Sequence, residues 1–386
     1  MAIDFFWRIP THGEPSSHRS RTPYRGDWPP GDNAQRKPGL AGGGADGFSY
    51  VEYLTQIAQA AEISGFQGGL IPSFPMTDEP WVISAFLARD TKTFRFMIPF
   101  QPGFLSPVTA ARMTASLQRA TGGRALYNVI TGGGGPQQLW WGDPVAHDDR
   151  YGRTTEFLDV LRGIWKGGPF TYRGRFYQIE DAGLPFPLTE EEYPEIYFSG
   201  SSDAALASAS KHADFYLSWL EPFDQLRDKF DRVKQRTAAL GRKIKCAVRV
   251  DVVARPTEEE AWDEVRTGFD RIDKATLERF NSRGGSESVG AARQSRNRPA
   301  TVTSYKDLII EPNVWSGFGL LRGGQTNGIV GSYDQVAQRL DQLVELGADA
   351  FILASTPHLE EAYRVGEEVL PLVRGHVTTP ALRAVG

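Results

Sequence analysis

Two arginines stand where a charge is hard to place. Arg249 interrupts the apolar run CAVRVDVVA, and Arg322 lies among leucine and glycine in GLLRGG. A buried guanidinium without an anion is very costly, so each needs a carboxylate, an anionic ligand or water. Asp251 is two residues beyond Arg249 and in a strand would share its face, so an internal salt bridge competes with ligand binding there. For Arg322 the competing reading is a solvated loop residue. His147 and Tyr151 are four apart in HDDRYGRTTEFLDVL, on one face of a helix start, a pairing that suits a phosphate and equally a surface pair. In YFSGSS, residues 197–202, a strand runs into small residues that open a helix. Backbone N–H groups with Ser201 and Ser202 can converge on an anion there, and an ordinary serine N-cap would look the same. The run Gly132–Gly135 lacks both the Gly-Lys-Ser/Thr ending of a phosphate loop and the spacing of a dinucleotide fingerprint, so it reads as a flexible loop. Six histidines without His-x-x-x-His or Glu-x-x-His spacing, and one cysteine, argue against a transition-metal centre. A Gly-x-Ser-x-Gly elbow is absent as well, against a serine hydrolase.

Such residues need a frame. Runs rich in β-branched and aromatic residues recur at Ile3–Pro10, Gly69–Pro72, Phe94–Phe100, Ala125–Ile130, Glu195–Phe198, Asp214–Trp219, Lys245–Val253 and Ala350–Ala354. Amphipathic helical patterns such as Tyr50–Gly65, Asp334–Leu346 and Glu360–Leu370 lie between and after them. Eight βα units predict a single α/β domain over residues 1–386, a (β/α)₈ TIM barrel whose site lies at the C-terminal ends of the strands. Going round, those ends carry Thr11 and His12; Ser73 and Thr77; Gln101; Asn128 and Thr131; Ser199, Ser201 and Ser202; Trp219; Arg249 and Asp251; and Ser355, Thr356 and His358. Any structural barrel has polar loop residues, so the ring as a whole is the candidate, not one member. Two long insertions, about 13–47 and 281–325, emerge at the same face. Loops of this length either close over a ligand or decorate the rim.

Bulk composition excludes several classes. A net charge of −4 gives no electrostatic footprint for nucleic acid or an anionic membrane surface. The apolar runs are strand-length, short of the roughly 20 residues of a membrane span, and no signal-peptide pattern opens the chain. The lone Cys246 precludes an intrachain disulfide and fits a reducing, cytoplasmic setting.

Taken together, FFWRIPTHGE, GGRALYNVITG, HDDRYGRTTEF, YFSGSSD, YLSWLEP, VRVDVVAR, GLLRGG and PHLEEAYRVGEEVLPL resemble the alkanesulfonate monooxygenase group of the bacterial luciferase-like flavin monooxygenases, over nearly the whole chain. The resemblance implies reduced FMN (FMNH2) as cofactor with O2 as co-substrate. The FMNH2 comes from a separate NAD(P)H-dependent flavin reductase. The implied reaction is cleavage of the C–S bond of an organosulfonate, giving sulfite and an aldehyde, in a homodimer or homotetramer. It further implies that Ser201, Ser202, His147 and Tyr151 hold the FMN phosphate and that Asn128 and Thr131 line the isoalloxazine. His12, Trp219, Arg249, Arg322 and His358 would surround the reacting centre. Three positions depart from the group: Asp251 replaces a usual histidine, Thr356 a usual tyrosine, and Thr77 a common cysteine. These small or acidic groups imply a more polar pocket, for a hydroxylated sulfonate such as sulfoquinovose. The alternatives are a luciferase-like oxygenase acting on a non-sulfonate substrate, a deazaflavin-dependent dehydrogenase, and a non-catalytic flavin- or sulfonate-binding protein.

Overall fold

The computed structural model describes residues 2–11, 50–74, 77–132, 136–282, 289–322 and 327–376. Strand and helix alternate through β1 (Asp4–Arg8), α1 (Tyr50–Ile63), β2 (Gly68–Leu70), α2 (Pro80–Asp90), β3 (Arg95–Phe100), α3 (Pro107–Thr121) and β4 (Ala125–Val129). A short α4 (Pro136–Trp140) and a long α5 (His147–Trp165) lead to a hairpin of β5 (Phe170–Arg173) and β6 (Gln178–Ala182). Alternation resumes with β7 (Ile196–Ser199), α6 (Asp203–His212), β8 (Phe215–Trp219), α7 (Phe223–Ala238), β9 (Lys245–Arg255) and α8 (Glu258–Asp270). The second insertion adds α9 (Lys274–Ser282), α10 (Val289–Arg296), β10 (Ile309–Glu311), β11 (Val314–Trp315) and α11 (Phe318–Arg322). The chain then returns through β12 (Gly328–Ser332) and α12 (Tyr333–Glu345) to β13 (Ala350–Ala354) and α13 (His358–Arg364).

Eight strands pair in parallel in the order β9, β13, β1, β2, β3, β4, β7 and β8, and β8 pairs back onto β9. That closure makes a (β/α)₈ barrel from the eight segments the sequence pattern predicts. The hairpin and the strands of the second insertion were not anticipated; β5 and β6 are half-exposed, and β11 has only two residues. β9 has 11 residues and pairs with different neighbours along its length. Its first half pairs with β8 as far as Arg249, and from Asp251 onward it pairs with β12. No helix among the described residues is long and apolar enough to cross a membrane.

The barrel interior is stacked in three storeys. Phe6, Met97, Leu126, Tyr197, Phe215, Leu217, Ala247, Ala350 and Ile352 form one buried apolar plug. Strand side chains alternate faces, so residues two before and two after these also point inward. Below the plug stand Asp4, Arg95 and Lys245, with the Arg95 guanidinium 2.6 Å from Glu195. Above it stand Arg8, Asn128, Ser199, Trp219, Arg249 and Asp251. Outside the barrel, helices bury an apolar stripe against the strands; on α1 it is Tyr53, Leu54, Ile57, Ala58 and Ala61, at spacings of three and four. α8 and α12 begin with capping boxes, Thr257 with Glu260 and Ser332 with Gln335, which set where each helix leaves its strand.

Candidate functional site

The upper storey gathers the arginines. Arg249 and Asp251 share the inner face of β9, and Arg322 reaches them from the end of α11. The Asp251 carboxylate accepts from Arg249 Nη2 at 3.2 Å, from Arg322 Nε at 3.0 Å and from Arg322 Nη2 at 2.6 Å. Both alternatives raised for the arginines are thereby decided in part: Arg249 has its internal salt bridge, and Arg322 is no solvated loop residue. Arg249 Nη1 is nonetheless buried without a hydrogen-bond partner among the described residues. Burial lowers the pKa of Arg249, Asp251 raises it, and the second guanidinium of Arg322 lowers it again, with a net fall.

On the other side of β13, His358 is 1% exposed and sits over the end of β1. Trp7 Nε1 donates to its carbonyl at 3.0 Å, and Arg8 Nη1 lies 3.4 Å from its Nε2. Thr356 is buried one residue before a cis Pro357. The Thr77 hydroxyl is engaged in its own loop, bonding to Pro72 O at 3.2 Å and accepting from Phe74 N at 2.9 Å. His12 and the first insertion, about 13–47, lie outside the described residues.

A second cluster forms beyond β7. Gly200 has φ of +146°, and a Cβ there would collide with Ala205 and come 3.4 Å from the Tyr151 hydroxyl, so only glycine lets the chain pass this close. Its carbonyl accepts from Tyr216 Oη at 2.8 Å. Ser202 caps α6 by accepting from Ala205 N at 3.2 Å, the ordinary cap the sequence also allowed. His147 packs edge-on against Tyr151 with centroids 5.3 Å apart, its Nδ1 2.9 Å from Asp148. Arg150, on the same helix turn, is buried; Nη1 donates to Val145 O at 3.0 Å while Nε and Nη2 have no partner. Asn128 and Thr131 are buried at the end of β4, and the Asn128 and Gln101 side-chain oxygens are buried without donors.

Trp219, 37% exposed, divides the two clusters, and Arg249 is its registered neighbour. α10 crosses beside it: a Cβ on Gly290 would be 3.4 Å from the Trp219 ring and 3.7 Å from Ser201 Oγ. This part of the second insertion is fastened by charge. Arg293 donates to the buried Glu221 at 3.0 Å, Lys229 Nζ lies 2.6 Å from the same carboxylate, and Gln294 donates to Leu220 O at 3.2 Å. The sequence reading missed Arg8, Arg150 and the Glu221 triad. A charge inside the strand FFWRIP was the visible signal for Arg8, whereas nothing in HDDRYGR distinguishes a buried arginine from an exposed one. No group of three or more His, Cys, Asp or Glu among the described residues could hold a metal ion.

Comparison with known proteins agrees with the architecture. A family model described as luciferase-like monooxygenase matches residues 32–350. Among solved structures, EDTA monooxygenase from Chelativorans sp. BNC1 is similar at 20% identity, covering 99% of this chain and 96% of that one, with a TM-score of 0.72. DmoA from Hyphomicrobium sulfonivorans is similar at 18% identity over 96% and 88%, also with a TM-score of 0.72. A riboflavin lyase bound to modified FMN and riboflavin is similar at 19% identity over 96% and 91%, again at 0.72. At these identities the likeness shows the fold alone.

Proposed function

The chain belongs to the luciferase-like monooxygenase family, and from that premise we propose that it is a two-component, FMNH2-dependent monooxygenase cleaving the C–S bond of an organosulfonate. A separate NAD(P)H-dependent reductase would supply the reduced flavin, and sulfite and an aldehyde would be the products. The observation that carries the sulfonate reading is Arg249, a buried guanidinium inside the mouth with Nη1 still without a partner. A sulfonate is a permanent anion whose oxygens accept such donors.

The residues present fit FMN. Among the described residues Arg150 is a buried cation whose Nε and Nη2 have no partner, next in sequence to Tyr151, whose hydroxyl lies by Gly200 just before α6, and a phosphate would satisfy it. Asn128 and Gln101 bury acceptor oxygens that a ring N–H or a hydroxyl would satisfy. Thr131 would line the same wall, and His147 would orient Tyr151. Bound reduced FMN supplies the electrons that activate O2, which no side chain here can do. The protein's part is to hold the substrate anion on Arg249, keep both arginines oriented through Asp251, and exclude water with Trp219 and α10. His358 would hold a proton toward the reacting oxygen, with His12 completing that wall.

A second reading, an oxygenase acting on a non-sulfonate substrate, is favoured by one observation. Arg322 directs two of its donors to Asp251, so the sulfonate reading leans on Arg249 Nη1 and not on both arginines. The same engagement limits what Asp251 can offer the hydroxyls of a sulfosugar, which leaves Thr356 as the chief support for a hydroxylated substrate. By the same resemblance the chain would assemble as a homodimer or homotetramer.

The deciding experiment is sulfite release with FMN, NAD(P)H, a flavin reductase and air. The panel is methanesulfonate, a medium-chain alkanesulfonate, an aromatic sulfonate and sulfoquinovose. Sulfite from any member is the expected result. None, with the reductase working, would sink the sulfonate reading and leave the non-sulfonate oxygenase.

A further inference from the structure

We propose that Arg8 is a positioning residue for His358: by donating to Nε2 it fixes the imidazole as the neutral Nδ1–H tautomer. His358 then serves the site as a hydrogen-bond donor and not as a cation.

Placement comes first. Arg8 is two residues beyond Phe6, which belongs to the interior plug, so on β1 both face into the barrel. Trp7, between them, faces the outer core and grips the His358 carbonyl at 3.0 Å through Nε1. Its ring also meets the imidazole edge-on, with centroids 6.4 Å apart. Two successive residues of β1 therefore hold one histidine, one by its backbone and one by its ring. With His358 1% exposed and Arg8 6% exposed, bulk water does not compete for this contact.

The tautomer follows from donor chemistry. A guanidinium has five N–H donors and no acceptor. Arg8 Nη1 stands 3.4 Å from His358 Nε2, so the contact is attractive only if Nε2 presents its lone pair. The ring proton is then on Nδ1. Protonating Nε2 would set two N–H groups and two positive charges against each other in a buried place. On α13, Glu361 is turned to Arg255 at 3.0 Å and to Arg364 at 3.1 Å. Across β13, Asp251 is held by Arg249 and Arg322. Glu360 is the other acidic residue of α13.

What the Nδ1–H faces rests on the function proposed above, where an oxygen of the substrate or oxidant would accept it. The tautomer itself does not rest on that reading. Arg8 contributes a fixed positive charge and His358 a directed hydrogen bond.

The test is long-range ¹H–¹⁵N NMR of the full chain labelled at histidine, at neutral pH, with His358 assigned by the His358→Gln spectrum. The expected spectrum has a protonated Nδ1 and an unprotonated Nε2. Arg8→Met should replace it with averaged tautomers and imidazolium. Arg8→Lys, which can also only donate, should restore the original signature. A wild-type Nε2–H or imidazolium spectrum overturns the proposal, as does an Arg8→Met spectrum unchanged from wild type. If Arg8→Met does not fold, the wild-type and Arg8→Lys spectra still decide. Where turnover is found, Arg8→Met should displace its pH profile and Arg8→Lys should not. Failure of every sulfonate to react would count against the function and leave the NMR result standing.

Discussion

At the scale of single residues, the candidate site is best read from what its polar atoms lack. Arg150 is buried, yet among the described residues two of its nitrogens have no hydrogen-bond partner. A structural arginine would have acquired one, because an uncompensated buried charge costs several kcal/mol. Replacing it with methionine should therefore weaken FMN binding by at least about tenfold, read by titrating flavin fluorescence. The same change should leave thermal stability unchanged or raise it, since it removes an unsatisfied cation. A fall in stability with unaltered flavin affinity would make Arg150 a structural residue. Most of the other site candidates were legible in the sequence because strand ends and apolar surroundings mark them, as for Arg249 in CAVRVDVVA and Asn128 in ALYNV. What the sequence could not tell was pairing. Whether Arg322 meets Asp251 depends on where α11 is set down, 71 residues later in the chain.

Elements carry a different kind of information. The eight barrel strands stand out as runs rich in β-branched and aromatic residues, because both faces of a parallel sheet are covered. β12, with only Gly-Ile-Val-Gly-Ser, and the half-exposed hairpin of β5 and β6 offered no such contrast. Between helices α5 and α6 lies a group whose titration the whole packing must bear. His212 is buried, and desolvation, against the opposing pull of Asp159, lowers its pKa from 6.5 to about 4. The unfolded chain then binds more protons than the folded one across that window, so stability should rise with pH between the two values and fall as pH drops through them. The slope attributable to this group approaches about 1.4 kcal/mol per pH unit at most. Urea unfolding midpoints measured from pH 4 to pH 7 should show it, and His212→Gln should flatten it. An equal slope in the variant would place the titration elsewhere.

For the whole molecule, the three storeys of the barrel separate stability from chemistry. The plug holds no polar atom beyond the Tyr197 hydroxyl and contacts every barrel strand except the shortest, β2, through fully buried side chains. Leu126→Ala in it should cost about 2–5 kcal/mol of unfolding free energy. FMN affinity and substrate preference should survive, measured on the folded fraction below the transition. A variant that loses flavin affinity before it loses stability would show that plug and mouth are one cooperative unit. The long strand β9 sets a further constraint, one that concerns recombination between barrels of this kind. Its upper half is tied by hydrogen bonding to the strand on which the second insertion returns, as Asp251–Arg255 pairs with Gly328–Ser332. The segment is thus no cassette that unplugs at its loop ends. A chimera joined in the loops would import β12 without the edge it was shaped to meet, and would part Asp251 from Arg322. Joints that respect the backbone fall inside β9, near Val250, and after Ser332, where α12 begins. A transplanted cover would have to bring half a barrel strand with it.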